Sequence, residues 1–242
     1  MKTSIFKYNS IYLLILFILI IIIIIQSDRY EIIRKSPESK SPPRNIFFDL
    51  GANVGDSAEN FLGLLDKVEN VNDIKNVIPA NKLKEKWIMY LIEGNSRFDE
   101  NLLKIKQKHS DKHEIIVLNG TIVTDHDGEI TFFLDQKNGN QVGSSILENH
   151  PDVIANKLKQ TKPCVDLARL LRQYKQSDYV VVKMDIEGAE FELLVHLIKE
   201  NVLGLIDTIA IEYHKYMSPY KSEYALFSKI FKKYNIDEKN WL

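Results

Sequence analysis

Cysteine is nearly absent from this chain: Cys164 stands alone among 242 residues. The chain therefore closes no disulfide within itself and builds no cysteine-based zinc site. A basic excess is also missing, with Lys+Arg 32 against Asp+Glu 33. A protein built to grip nucleic acid needs such an excess to neutralise phosphates, so no nucleic-acid partner is expected. Glycine (10) and proline (7) are too sparse for a collagen-like or low-complexity chain, and 45% hydrophobic residues exclude a largely disordered one. The length suits one substantial domain.

Apolar residues are concentrated at the N-terminus. Ile11 to Ile25 carries no polar group except the Tyr12 hydroxyl and ends in six isoleucines. A bilayer of about 30 Å needs about 20 apolar residues of helix, so the fifteen are short, but counting from Ile5 gives a segment of 21 residues that includes Lys7. Lys7 then snorkels toward the headgroups. No small-x-small cleavage site follows, because the run continues Gln26-Ser27-Asp28-Arg29. Residues 1–26 are therefore expected to be an uncleaved signal anchor, a transmembrane helix that makes the membrane a partner. Lys2, Lys7 and the terminal amine favour a cytosolic N-terminus and a lumenal or extracytoplasmic body. The sequon Asn119-Gly120-Thr121 is usable only on that side. Residues 27–44, with Pro37, Pro42 and Pro43, read as a flexible stalk. The folded domain is expected over 45–242.

Within it, apolar runs alternate with helical patterns. Residues 45–50, 87–93, 113–118, 179–185 and 205–213 read as strands. Helices are expected near 57–65, 97–109, 166–174, 191–200 and 223–234. Asp127-Gly128 signals a hairpin between 121–123 and 130–134. Residues 135–165, with few apolar positions, are the expected lid. The alternation implies an α/β fold with a doubly wound, mostly parallel sheet, whose ligands bind beyond the carboxyl ends of the strands. Those ends carry Asp49, Glu93, Asn119, Asp185, and Glu212 with His214.

Three strings carry the chemistry. In Asp49-Leu50-Gly51-Ala52-Asn53-Val54-Gly55-Asp56, glycines at a strand-to-helix turn let the backbone approach a ligand; a plain glycine turn with a helix cap is the bland alternative. Asn53 replaces the middle glycine of a dinucleotide fingerprint, and Glu93 follows too late for a nicotinamide site. Glu93 suits ribose hydroxyls without a pyrophosphate. In Lys183-Met184-Asp185-Ile186-Glu187-Gly188-Ala189-Glu190, alternation puts Lys183, Asp185 and Glu187 on one side. Glu190 and Glu192 are explained by the helix dipole. In Ile211-Glu212-Tyr213-His214, a carboxylate beside an imidazole orients a general base, or else the two form a structural pair. Asp185, Glu187 and Glu212 offer oxygens to a divalent metal, an alternative that is not adopted. Cys164 reads as structural, and His109, His113, His126, His150 and His196 receive no role. Asp125-His126-Asp127 has the spacing of a nucleotide-sugar metal motif but falls in a turn, where Asp is common.

Taken together, these strings resemble the FkbM-type S-adenosylmethionine-dependent methyltransferases over roughly 45–214. Gly143-Ser144-Ser145 and the Asp127-Gly128 turn add to the likeness. The resemblance implies a Rossmann-like methyltransferase sheet and S-adenosylmethionine as cofactor, held by Asp49, Gly51, Ala52, Asn53, Gly55, Glu93 and Asn119. It implies O-methylation of a hydroxyl on a sugar, glycan or other small molecule, with His214 as base, Glu212 orienting it and Asp185 beside the reacting centre. Gly94-Asn95 stands where the family commonly has proline. Only 28 residues follow His214. Either the sheet lacks its final strand or strands, or the chain is truncated. An anchored scaffold that keeps the fold without activity is the competing expectation.

Overall fold

A computed structural model describes residues 42–65, 78–137, 139, 141–153, 158–214 and 224–239. The anchor and nearly all of the stalk expected from the sequence lie outside the described residues. Among the described residues no helix is long and apolar enough to cross a membrane.

Strand β1 (Asn45–Leu50) is buried at every position, the mark of a central strand covered on both faces. It lies between β2 (Trp87–Glu93) and the strand Tyr179–Met184, parallel to both. With β3 (Glu114–Asn119), β4 (Ile122–Thr124), β5 (Gly128–Phe133) and β6 (Lys159–Asp166) preceding it in the chain, Tyr179–Met184 is β7; Thr208–Ile211 is β8 and Asp237–Lys239 is β9. The main sheet runs β3-β2-β1-β7-β8-β9, and all its pairs are parallel. Strand order reverses between β1 and β7, the place where doubly wound sheets open a ligand cleft. Among the described residues, the three-residue β9 follows β8 at the edge of the sheet.

Alternation along the strands sorts the core into two layers. Phe47, Met89, Leu91 and Val181 pack against α1 (Asp56–Leu65) and α2 (Asp99–His109) through Phe61, Leu62, Leu102 and Ile105. Ile46, Phe48, Leu50, Val180, Val182 and Met184 face the opposite side. There they meet α3 (Leu167–Leu171), α4 (Glu190–Lys199) and α5 (Tyr224–Tyr234). Phe47 stacks on Phe61 at 3.9 Å between ring centres, and Phe61 meets Trp87 edge-on at 5.0 Å.

The expected hairpin is corrected. Asp127-Gly128 does connect β4 to β5, but these strands do not pair. β6 inserts between them, parallel to β4 and antiparallel to β5. Asp127 is committed to the exit of β6, accepting from the Asp166 N–H at 3.1 Å and from Arg169 Nε at 2.6 Å. Cys164 on β6 then joins Ile122, Phe132 and Leu134 in a small third core, with its Sγ 3.5 Å from His126 Nε2. Part of the segment expected to be lid is thus a strand.

Phe47→Ala removes a fully buried ring from the layer under α1. It is expected to cost about 3–5 kcal/mol of stability. Denaturant unfolding of the purified protein measures this; a loss under about 1 kcal/mol would show that the Phe47–Phe61 stack is not a core contact.

Candidate functional site

At the carboxyl ends of β1 and β7, Asp49 and Lys183 are register partners. Both are buried, with Nζ 3.5 Å from Asp49 Oδ1. The same ammonium donates to the Gly51 carbonyl at 2.7 Å and lies 3.5 Å from Asp185 Oδ2. Burial works against the charge on Lys183, but Asp49 and Asp185 outweigh it and hold its pKa above the ordinary lysine value. The Ser57 hydroxyl donates to Asp49 Oδ2 at 2.5 Å, so Ser57 serves the strand end rather than capping α1.

The turn after β1 uses left-handed backbone at Gly51, Asn53 and Gly55. A Cβ on Gly51 would lie 1.8 Å from the Asp185 carbonyl oxygen. Glycine is required there by the neighbouring chain exit, not only by the approach of a ligand. At Gly55 the crowding atom is Ile105 Cδ1, so this glycine serves packing against α2.

A cleft opens above the turn. Of the residues expected to hold a cofactor, Gly51, Asn53 and Glu93 line it, together with Thr121, Asp185 and Glu187. Asp49 and Ala52 are fully buried beneath the turn. Asn119 is exposed at the end of β3, where its carbonyl accepts the Thr121 hydroxyl at 3.0 Å. Asp49, Ala52, Gly55 and Asn119 therefore stand outside the cleft wall; the first three shape the turn. Glu93 Oε2 accepts the Asn53 N–H at 2.8 Å and Oε1 accepts the Asn95 N–H at 2.6 Å. Burial pushes this carboxyl up, and the two backbone N–H groups pull it back only in part. Each oxygen keeps a lone pair for a further donor. At Gly94 space is tight: a Cβ would lie 2.7 Å from Ile122 Cγ1.

Beside this cleft His214 sits among carboxylates. Its Nε2 is 3.3 Å from Glu187 Oε2, 3.9 Å from Glu212 Oε1 and 4.0 Å from Asp185 Oδ1. Its Nδ1 hydrogen-bonds Glu190 Oε1 at 2.9 Å. The orienting carboxylate is thus Glu190, which the sequence assigned to the helix dipole, and not the half-exposed Glu212. Glu190 is fully buried at the start of α4, and its Oε1 also accepts the Gly188 N–H at 3.0 Å. Desolvation lowers the His214 pKa, but the bond to Glu190 and the charges of Glu190, Glu187 and Asp185 prevail and raise it to about 9. At neutral pH His214 is an imidazolium and not the neutral base expected from the Glu212–His214 spacing. Asp185, Glu187 and His214 each bring one donor atom within 4.8 Å of the others, and Glu212 is outside that group. A cation there would have to displace the Nε2 proton.

His150 completes the cluster, although no spacing in the sequence marks it. It comes from the segment after β5, is 1% exposed, and its Nε2 lies 3.0 Å from Glu187 Oε2. Glu190 had a faint signal in the sequence, an acid at a helix start; His150 had none. The family model for the methyltransferase FkbM domain matches residues 49–233. No curated protein and no solved structure matches the chain.

The raised His214 pKa ties stability to pH. The charged histidine stabilises the fold fully below the ordinary imidazole value of 6.5, and that contribution is lost as pH rises through about 9. Urea unfolding of the wild-type protein is expected to lose on the order of 1–2 kcal/mol between these limits, after screening by solvent. His214→Ala should flatten the slope, and an equally steep slope in that variant would remove His214 as its source.

Proposed function

Because the chain belongs to the FkbM methyltransferase family, we propose that it transfers the methyl group of S-adenosylmethionine to a hydroxyl oxygen of a sugar, glycan or other small-molecule acceptor. The observation that carries this reading is the Glu93 carboxylate, held by the Asn53 and Asn95 N–H groups on the wall of a cleft at the sheet's switch point. It is aligned to accept ribose hydroxyls, with Phe98, Ile122 and Val142 as an apolar wall for the base. Gly51 and Asn53 let the backbone pass close by.

S-adenosylmethionine supplies a methyl already activated on a sulfonium, which leaves as a neutral thioether. The protein's task is alignment and exclusion of water. Asp185 lines the cleft and lies 4.0 Å from His214, which supports an acceptor hydroxyl bound within reach of both. As the oxygen attacks, its proton passes to His214 Nε2 while Glu190 holds Nδ1. Such assistance contributes about 10²–10⁴-fold. Only the unprotonated fraction of His214 can serve, so turnover is expected to climb as pH approaches about 9. We further propose that the apolar N-terminal run anchors the protein, with this domain on the lumenal or extracytoplasmic side.

Calorimetric titration of the purified full chain with S-adenosylmethionine and, separately, NAD tests the reading. Binding on the order of micromolar for the first and none for the second is expected. Glu93→Ala should abolish it in a protein that still melts cooperatively. No binding of S-adenosylmethionine by the folded wild-type chain would sink the methyltransferase reading.

A further inference from the structure

His150 lies outside every motif, yet it is among the most buried polar residues of the domain. Its ring is held at both nitrogens. Nδ1 accepts the Asp152 N–H at 3.2 Å, so Nδ1 carries no proton. The proton of the neutral ring must then be on Nε2, which faces Glu187 Oε2 at 3.0 Å. His150 is in this way a fixed donor to Glu187. That same oxygen is the one His214 Nε2 approaches at 3.3 Å.

The backbone around it explains the rigidity. Glu187 adopts a left-handed φ of 53°, costly for a side-chain-bearing residue and kept only where the surroundings hold it. The Glu187 carbonyl accepts the Ser145 hydroxyl at 2.7 Å. Ser145 is itself paired to the end of β5 through both backbone bonds with Phe133. Nearby, the buried Asp135 carboxylate accepts the N–H groups of Lys137 and Gly143. One segment after β5 therefore grips Glu187 twice, at its carbonyl through Ser145 and at its carboxylate through His150.

We infer that His150 is a positioning residue that acts on His214 through Glu187. By donating to Glu187 Oε2 it shares the charge that would otherwise bind the His214 proton, and so keeps His214 able to release it. The groups around His214 are Glu190 and Glu187 at the start of and just before α4, Asp185 after β7 and Glu212 after β8. From the β5 side, His150 reaches this set at the Glu187 carboxylate. This inference rests on the proposed role of His214 as base, but its test does not need the acceptor.

The test is an NMR titration of the His214 imidazole in full-length protein carrying labelled histidine. Wild type is compared with His150→Ala, His150→Phe and His150→Gln. The alanine and phenylalanine variants lack the donor, phenylalanine keeping the ring volume should alanine fail to fold. Both should move the His214 midpoint upward, on the order of half a pH unit, because Glu187 then holds the proton alone. His150→Gln offers an amide N–H in place of the imidazole Nε2 and should restore most of the wild-type value. Glu187→Gln reads the same link from the other end and should lower the midpoint. An unmoved midpoint in a folded donor-less variant, or no effect of Glu187→Gln, would overturn the inference and leave His150 as packing. S-adenosylmethionine binding by the His150 variants, whose substituted residue is not in the cleft wall, is expected to be unchanged. Failure of the wild type to bind it would count against the methyltransferase reading alone, since the coupling between the two histidines is read without it.

Discussion

The buried ammonium of Lys183 is the constraint on which the other parts of the site depend. It sits at the end of β7 opposite Asp49 on β1, where a lone charge could not be tolerated. Its three contacts fix three things at once. Asp49 locks the two strand ends in register, the Gly51 carbonyl sets the path of the glycine turn, and Asp185 is drawn to the point where the chain leaves the sheet. The near-collision of any Cβ at Gly51 with the Asp185 carbonyl shows how little freedom remains between these two exits. The cleft wall made by Gly51, Asn53 and Asp185 is a consequence of that cation.

A second charge balance governs the other half of the site. Four carboxylates surround one imidazole, and the histidine answers by holding its proton to about pH 9. Glu190 accounts for one ring nitrogen, and Glu187, Asp185 and Glu212 compete for the other. In the proposed reaction these carboxylates would hold a hydroxyl-bearing acceptor by its protons. In the proposed transfer His214 would be a restrained base, and the donors that reach Glu187 would bear on it.

Much of the architecture was legible in the residues. β1, β2 and β7 are buried through most of their length, so their apolar runs are unbroken and their polar ends stand out. β6 was not legible. Its first five residues are mostly exposed and it contains Pro163, so it carries no apolar run to announce a strand, and the Asp127-Gly128 turn pointed to a simpler pairing. In the site, Asp185 and Glu93 were found because each closes a buried strand. Glu190 was misjudged because an acid in a first helical turn has an ordinary explanation, which its complete burial overrides. His150 lies in an irregular segment where no period exists to give a side chain a direction.

The sequence by itself determined the parallel sheet, the glycine turn and the set of acids at the strand ends, because burial periodicity and the conformational needs of glycine are local properties. Only the tertiary structure decided which acid serves which partner. Glu190 meets His214 because Glu187 and Gly188 turn the chain through left-handed backbone before α4 begins. His150 meets Glu187 because the segment after β5 is tied back to that strand through Ser145. Such pairings join side chains from separate elements, and their distances are set by turns and crossings that no spacing within one element encodes.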